Sequence, residues 1–383
     1  MKSHHWSLLA AILWFSTLNQ VRADDLKVLD ASQAKKDEKS NILWYDLRKL
    51  DVEGRGWTDT ASFYDRLPRK AQGVVRDPVW KLSHHSAGIC ARFVTNATTI
   101  RARWTLTSPR LAMPHMAATG VSGLDLYVRT DQGWRWLAVG FPTAATNSVQ
   151  LANGLPSGQR EYLLYLPLYN GVTSVEIGIG SESLLAKGPE YSQNHRKPIV
   201  FWGTSITQGG CASRPGMVHT AILGRRFQRP VINLGFSGNG RLEPEVARLI
   251  AELDAAVYVL DCLPNLNGQQ VAQRIGPVVD ILRAARPQTP ILMVEDRTYS
   301  NSFLLASRRD RNTQNRQSLK QAFTNMSKRG IPGLHYLDGT RLLGHDGEDT
   351  VDGSHPTDLG FQRQAAAFQT ALAPILAKKQ PQK

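Results

Sequence analysis

The chain has 383 residues, which is long enough for two ordinary domains, because domains usually run to roughly 100 to 200 residues. Its hydrophobic fraction of 42% and charged fraction of 20% are typical of a globular protein and exclude wholesale disorder and a multi-span membrane protein. The formal net charge is +14, but the basic residues are scattered rather than collected in one block, so a solvated surface is favoured over nucleic-acid binding.

The N-terminus has the pattern of an export signal. The first residues, MKSHHWSLLAAILWFSTLNQVRADD, combine a basic start, an apolar stretch and the small residue Ala23 before two acids. The apolar stretch is too short for a membrane span, which needs about 20 residues. We predict a signal peptide over residues 1–23, a periplasmic or secreted mature chain, and no integral membrane span after cleavage. A retained anchor is the alternative, because Arg22 is unusual at a cleavage site.

The first half of the remaining chain reads as β-structure. Residues 57–180 contain short alternating stretches such as TIRARWTL, GLDLYVRT and VTSVEIGIG, separated by Gly, Asn, Asp and Pro. Repeated period-two stretches with turn residues between them predict an antiparallel sandwich. We place this N-terminal β-sandwich domain at residues 24–186 and a polar linker at residues 187–197.

The rhythm then changes to strand followed by helix. KPIVFWG, PVINLGF, AAVYVLD, PILMVE and LHYLD read as buried strands, and helical stretches separate them. This alternation predicts an α/β domain over residues 198–383, with a parallel sheet covered by helices on both faces.

The polar residues of this second domain follow its strands directly. Ser205 comes after the first strand in FWGTSITQGG, Gly238 follows the second in NLGFSGNG, and Asn265 follows the third in DCLPN. Asp352 and His355 lie in DGSHP, just before the last helix. Because ligands bind beyond the carboxyl ends of the strands in open parallel sheets, we expect these loops to meet in one site.

These residue types are the parts of an acyl-transfer site. A serine such as Ser205 attacks an ester only if a base takes its proton, and His355 has a pKa suited to that task. Asp352, three residues earlier, is placed to orient the ring of His355. The backbone N–H groups of Ser205 and Gly238 and the amide of Asn265 are candidate donors to the oxyanion.

In this order the four loops resemble the four sequence blocks of the SGNH hydrolases, also called GDSL esterases. The resemblance covers residues 198–377, and GLDLYV, with WKLSHHSAG and FVTNATTIRARW before it, resembles the β-sandwich that precedes the catalytic domain in one branch of the family. It implies a flavodoxin-like parallel sheet after an all-β, jelly-roll-like sandwich. It also implies a Ser205, His355 and Asp352 triad, with Ser205, Gly238 and Asn265 forming the oxyanion hole.

Two departures from the family pattern bear on this interpretation. The usual Gly-Asp-Ser is Gly-Thr-Ser here, with Thr204 beside the nucleophile, and the third block, usually Gly-x-Asn-Asp, reads DCLPN. Each residue taken singly has an ordinary structural interpretation: Ser205 as a cap or turn hydroxyl, Gly238 as a turn glycine, Asn265 as a loop residue, Asp352 as a turn former and His355 as a surface histidine. Their joint occurrence at strand ends favours the catalytic interpretation.

The three cysteines leave two alternatives open. Cys211 follows the Ser205 loop and Cys262 follows the third strand, and these strands are neighbours in the flavodoxin-like order 2-1-3-4-5. We predict a Cys211–Cys262 disulfide; three buried, unpaired cysteines are the alternative. No metal site is expected, because no Cys-x-x-Cys pair exists and His84 and His85 would point to opposite faces of a strand. No cofactor is expected, since GTSITQGG lacks the lysine of a phosphate-binding loop.

The substrate is the least determined part. An exported enzyme without a cofactor motif is expected to hydrolyse esters, and small acyl groups, acetyl above all, are favoured because no long apolar segment suits a lid. The resemblance implies deacetylation of a glycan. The alternatives are a catalytically silent carbohydrate-binding protein and a lipase or thioesterase on the same scaffold. The sequence does not determine the oligomeric state.

Overall fold

The computed structural model describes residues 26–377, so the predicted signal peptide over residues 1–23 lies outside the described residues. Two antiparallel sheets precede one parallel sheet. Within residues 26–377, no helix is both long enough and apolar enough to cross a membrane.

The first part of the described chain is a β-sandwich. Its strands are β1 Lys35–Lys36, β2 Ile42–Asp46, β3 Asp51–Glu53, β4 Cys90–Thr95, β5 Ile100–Leu106, β6 Leu124–Thr130, β7 Gly133–Gly140, β8 Thr146–Ala152, β9 Arg160–Tyr165, β10 Val172–Gly180 and β11 Leu185–Lys187. One sheet has the order β1-β2-β10-β5-β8, and the other has the order β11-β4-β9-β6-β7 with β3 paired to β4. The predicted all-β domain is therefore confirmed.

The two sheets pack face to face because buried and more exposed residues alternate along their strands. In β5, every second residue from Ile100 to Leu106 is buried, and Trp104 is among them. These side chains pack in one core with Phe93 and Leu164 of the facing sheet. Because successive side chains of a strand point to opposite faces, the alternation buries one face of each sheet against the other.

The second part is a parallel sheet covered by helices on both faces, as predicted. Its strands are β12 Ile199–Gly203, β13 Val231–Gly235, β14 Val257–Asp261, β15 Ile291–Val294 and β16 Leu334–Leu337. Their order is β13-β12-β14-β15-β16, and every pairing is parallel. Numbered within this domain, the order is 2-1-3-4-5, which confirms the flavodoxin-like sheet.

The helices form two layers. They are α1 Asp77–Ser83, α2 Ala118–Val121, α3 Ser205–Gln208, α4 His219–Phe227, α5 Pro244–Ala251, α6 Gly268–Ala285, α7 Ala306–Lys328 and α8 Asp358–Ala377. Trp202 of β12 packs in the core that α5, α6 and α7 cover. Its neighbour Phe201 packs in the core that α4 and α8 cover. The central strand is buried on both faces, which explains its continuous apolar sequence.

A segment of the N-terminal half leaves the sandwich and packs on the α/β domain. Residues 57–83 contain α1, although the sequence pattern predicted only strands there. Trp57 and Val79 join the core formed by α5 and α6, and the Trp57 indole donates a hydrogen bond of 2.9 Å to Glu252. This segment of the N-terminal half is therefore part of the core on one face of the parallel sheet.

Candidate active site

The candidate nucleophile lies at the junction of β12 and α3. Ser205 is the first residue of α3, and Thr204 caps the helix by accepting a hydrogen bond of 3.3 Å from the N–H of Ile206. Thr204 thus performs a capping task with its hydroxyl where the family pattern has a carboxylate. A Cβ atom at Gly203 would lie only 1.9 Å from Oγ1 of Thr207, so this tight strand-to-helix turn requires glycine.

A serine, a histidine and an aspartate form a continuous hydrogen-bonded chain. Ser205 Oγ lies 2.8 Å from Nε2 of His355, and Nδ1 of the same ring lies 2.8 Å from Oδ2 of Asp352. The backbone N–H of His355 also donates to Asp352 Oδ1, at 2.8 Å. Partial burial raises the pKa of Asp352, but the hydrogen bonds from His355 outweigh it and leave that pKa below its ordinary value. Asp352 is therefore a carboxylate that orients the ring of His355.

One of the three predicted oxyanion donors is the N–H of Ser205 itself, and the other two, Gly238 and Asn265, lie on the segments that follow β13 and β14. The N–H of Ser205 belongs to the first residue of a helix and so has no intrahelical acceptor. Gly238 is exposed, has a φ of +69°, and has no atom within 4 Å of the position that a Cβ would take. Asn265 accepts a hydrogen bond of 3.2 Å from the N–H of Gly240 through Oδ1, which leaves Nδ2 as the free donor of that amide.

Arg297, which the sequence analysis did not single out, holds the loop that carries Asp352 and His355. It follows β15, is 2% exposed, and donates to the carbonyl of Ser354 at 3.0 Å and to the Ser354 hydroxyl. It also pairs with Asp296. Because Ser354 lies between Asp352 and His355, these two hydrogen bonds fix the turn that joins the aspartate to the histidine.

A buried acid lies beneath the nucleophile. Asp261, the last residue of β14, accepts a hydrogen bond of 2.9 Å from Oγ1 of Thr207 on α3. Burial raises the pKa of Asp261 to about 7. The DCLPN segment thus contains two residues of interest: Asp261, which holds α3 by a hydrogen bond, and the candidate oxyanion donor Asn265.

The β-sandwich half also reaches the site. The hydroxyl of Tyr169 donates a hydrogen bond of 3.0 Å to the Ser205 carbonyl. His115, on an exposed loop, has its ring centroid 6.0 Å from that of His355. Neither residue belongs to a local motif, since each is brought to the site by the packing of the two halves.

The predicted Cys211–Cys262 disulfide is wrong: both cysteines are buried and unpaired. Cys262 packs in the core beneath α5 and α6, where its Sγ lies 3.4 Å from the carbonyl oxygen of Trp202. Cys211 lies beyond α3 near Asp352, and burial raises its pKa to about 12. Although β12 and β14 are neighbours, Cys211 lies beyond α3 and not at the end of β12, so the pairing of the strands does not bring the two thiols together. Within residues 26–377, no three His, Cys, Asp or Glu residues are grouped to hold a metal ion.

Comparisons with known proteins agree with this architecture. Residues 196–373 match the model of the GDSL-like lipase/acylhydrolase family, and residues 42–185 match that of the N-terminus of SGNH-hydrolase-type esterases. A Bacteroides ovatus crystal structure assigned as a GDSL-like lipase is 33% identical and covers 88% of this chain and 98% of its own, with a TM-score of 0.83. The chain belongs to the GDSL-like lipase/acylhydrolase family. It is a carboxylic ester hydrolase.

Two other solved structures with a similar fold are more distant in sequence. The salicylyl-acyltransferase SsfX3 from a tetracycline biosynthetic pathway is 19% identical, covers 93% of this chain and 99% of its own, and has a TM-score of 0.70. A family two carbohydrate esterase from Clostridium thermocellum, solved with cellohexaose, is 15% identical, covers 76% and 93%, and has a TM-score of 0.56. At these identities the likeness shows the fold alone. Among functionally curated proteins, a sequence comparison finds no match.

Proposed function

We propose that this GDSL-like esterase hydrolyses esters that join a small acyl group, above all acetyl, to a hydroxyl group of a carbohydrate. We also propose that it acts after export. The observation that carries the chemistry is the Ser205–His355–Asp352 chain, with both hydrogen bonds at 2.8 Å. These contacts favour an enzyme over a silent binding protein on the same scaffold. The carbohydrate part of the proposal draws on the fold neighbour solved with cellohexaose.

The reaction proceeds by two acyl transfers. Ser205 Oγ attacks the ester carbonyl while Nε2 of His355 takes its proton, and Asp352 stabilises the resulting imidazolium. The N–H groups of Ser205 and Gly238 and Nδ2 of Asn265 donate to the carbonyl oxygen as it becomes an oxyanion.

Collapse of this intermediate breaks the bond to the alcohol, which leaves with the proton from His355. Water then attacks the acyl-Ser205 ester, with His355 again as the base, and releases the acid and the free serine.

The test is hydrolysis of p-nitrophenyl acetate, butyrate and octanoate, and release of acetate from acetylated cello-oligosaccharides. We expect Ser205→Ala to lower turnover by at least about a thousandfold, as when a triad member is removed. Ser307→Ala, an exposed serine in the first turn of α7, is the matched control and should retain wild-type turnover. Equal rates for wild type and Ser205→Ala would contradict the proposed role of Ser205.

A longer acyl group is the second candidate, because apolar side chains are exposed near the site. Phe303 and Leu304 are 82% and 77% exposed. Their loop borders the one that carries Asp352: Ser300 donates a hydrogen bond of 3.0 Å to the Gly353 carbonyl. A higher kcat/KM on octanoate than on acetate would favour this candidate over acetyl hydrolysis.

Export is tested separately, by determining the N-terminal residue of the protein recovered from outside the cytoplasm of an expressing bacterial cell. We expect a mature chain that begins after Ala23, and an intact N-terminus would favour the retained anchor.

A further inference from the structure

Gln208, the last residue of α3, is fully buried and joins two of the three segments that carry the predicted oxyanion donors. Its Oε1 accepts a hydrogen bond of 3.0 Å from the N–H of Ser237, the residue before Gly238. The backbone of Gln208 also packs on the end of β13, where a Cβ at Gly235 would lie 2.1 Å from its nitrogen. Gln208 therefore relates the position of Ser205, at the other end of α3, to that of Gly238.

The orientation of this amide is determined by its two other partners. Nε2 of Gln208 donates to the Leu168 carbonyl at 3.1 Å and lies 3.0 Å from Nδ1 of His85. A carbonyl oxygen can only accept a hydrogen bond, so the NH2 group of Gln208, and not its oxygen, must face Leu168. The second hydrogen of this NH2 group is then donated to Nδ1 of His85, provided that Nδ1 is the unprotonated nitrogen of the ring. Burial, and then the charge of Arg66, lower the pKa of His85 to about 4, so the ring is neutral at neutral pH.

The segment that carries His85 is itself attached to the oxyanion side of the sheet. Arg66 is 1% exposed and donates to the carbonyls of Asn233 and Gly235, at 3.1 and 2.7 Å, at the end of β13. The same guanidinium donates to the carbonyls of His85 and Leu82, at 2.8 and 2.6 Å. One buried cation thus holds the His85 segment and the strand before Gly238 in a fixed relation.

We propose that His85 and Gln208 are positioning residues that set the separation between the Ser205 and Gly238 N–H groups. The N-terminal half would then be part of the catalytic apparatus, through His85, in addition to any contact with substrate. This inference rests on the proposed function, because it requires Ser205 and Gly238 to act on the same oxyanion. Misplaced donors weaken transition-state binding more than substrate binding, so the effect should fall on kcat.

The test compares two substitutions at His85 with one at its neighbour. His85→Leu removes the acceptor, whereas His85→Asn offers Oδ1 at about the place of Nδ1. His84→Leu is the matched control: His84 lies in the same segment, but it pairs with Asp65 at 3.0 Å and has no hydrogen bond to Gln208. For each protein, active sites are titrated with a fluorophosphonate, and kcat and KM for p-nitrophenyl acetate are then measured per titrated site.

We expect about a tenfold lower kcat for His85→Leu with KM within about threefold, which is less than the hundredfold or greater loss when an oxyanion donor is removed outright. His85→Asn should recover most of this loss, and His84→Leu should keep the wild-type kcat per site. The affinity for phenylboronic acid, which forms a tetrahedral adduct with an active serine, should fall with kcat for His85→Leu.

Normalising to titrated sites separates positioning from folding. If His85→Leu lowers only the melting temperature and the fraction of active sites, with kcat per site unchanged, the inference is wrong and His85 is merely structural. The same holds if His85→Asn is no better than His85→Leu. A wild type without Ser205-dependent turnover would instead contradict the proposed function.

Discussion

His219, at the start of α4, should make the α/β domain sensitive to acid. Its ring is fully buried and stacks on Phe361 and Phe368, with centroid distances of 5.8 and 5.2 Å. Within the described part of the chain, neither ring nitrogen has a hydrogen-bond partner. Burial alone lowers the pKa of His219 to about 3, from an ordinary value of 6.5. The folded protein therefore holds this ring neutral at pH values where the unfolded chain protonates it.

The size of the effect follows from the two pKa values. Because the folded pKa is depressed, the unfolded state binds more protons between pH 6.5 and 3, and the free energy of unfolding falls as pH falls through that window. Each pH unit well inside the window is worth about 1.4 kcal/mol, so lowering the pH from 7 to 5 should cost about 2 kcal/mol through this ring. Above pH 7 the contribution is constant.

Replacement by phenylalanine removes the titrating group and keeps an aromatic ring between the two phenylalanines. We expect the difference in free energy of unfolding between His219→Phe and wild type to move by about 2 kcal/mol in favour of the variant from pH 7 to pH 5. Urea denaturation followed by far-UV circular dichroism at both pH values measures it. His219→Leu controls for overpacking by the larger ring, which costs about 1 to 3 kcal/mol at any pH. A difference that is the same at both pH values would refute the reasoning.

Three further predictions concern the site. Asp352→Asn leaves an amide that no longer fixes the ring of His355, and we expect a loss of kcat of about a thousandfold or more on p-nitrophenyl acetate, with a folded circular dichroism spectrum; activity within tenfold of wild type would exclude Asp352 as the orienting group. Arg297→Lys keeps the charge beside Asp296 but loses the paired hydrogen bonds to Ser354, so kcat should fall about tenfold while KM changes little. An unchanged kcat would mean that the turn between Asp352 and His355 keeps its conformation without these hydrogen bonds. Asp261→Asn should raise the free energy of unfolding, relative to wild type, by about 2 to 3 kcal/mol more at pH 8 than at pH 5. The reason is that the pKa of Asp261 is about 7 in the folded protein, so the wild type loses the stabilising contribution of this carboxyl as pH rises from about 4 to 7. Urea denaturation at both pH values measures the difference, and the same difference at pH 5 and pH 8 would contradict a buried neutral acid.

The prediction of the disulfide failed for a reason that applies to other parallel sheets. The family resemblance implied the strand order, and β12 and β14 are indeed neighbours. Whether two side chains meet also depends on the direction in which each leaves its loop. Cys262 turns into the core under α5, and Cys211 has a φ of +75° in the loop beyond α3. Local pattern carries no information on either direction.

The resemblance to the SGNH hydrolases implied the strand order, whereas the pattern of the sequence itself determined the two fold classes and the loops that carry the candidate residues. These follow from local physics: alternation buries one face of a strand, a continuous apolar stretch buries both, and polar residues after parallel strands collect at one edge. For this reason Ser205, Gly238, Asn265, Asp352 and His355 could be selected before the structure was known.

Only the tertiary structure decided what holds these loops in place. Arg297 lies 57 residues from Ser354, and Gln208 lies 123 residues from His85. Neither pair belongs to a repeating pattern or a common motif: the first joins two loops of the α/β domain, and the second joins α3 to the N-terminal half. Each depends on how a buried polar group finds partners in the final packing. Burying such a group without a partner costs free energy, so the final packing, and not any local preference, selects these contacts.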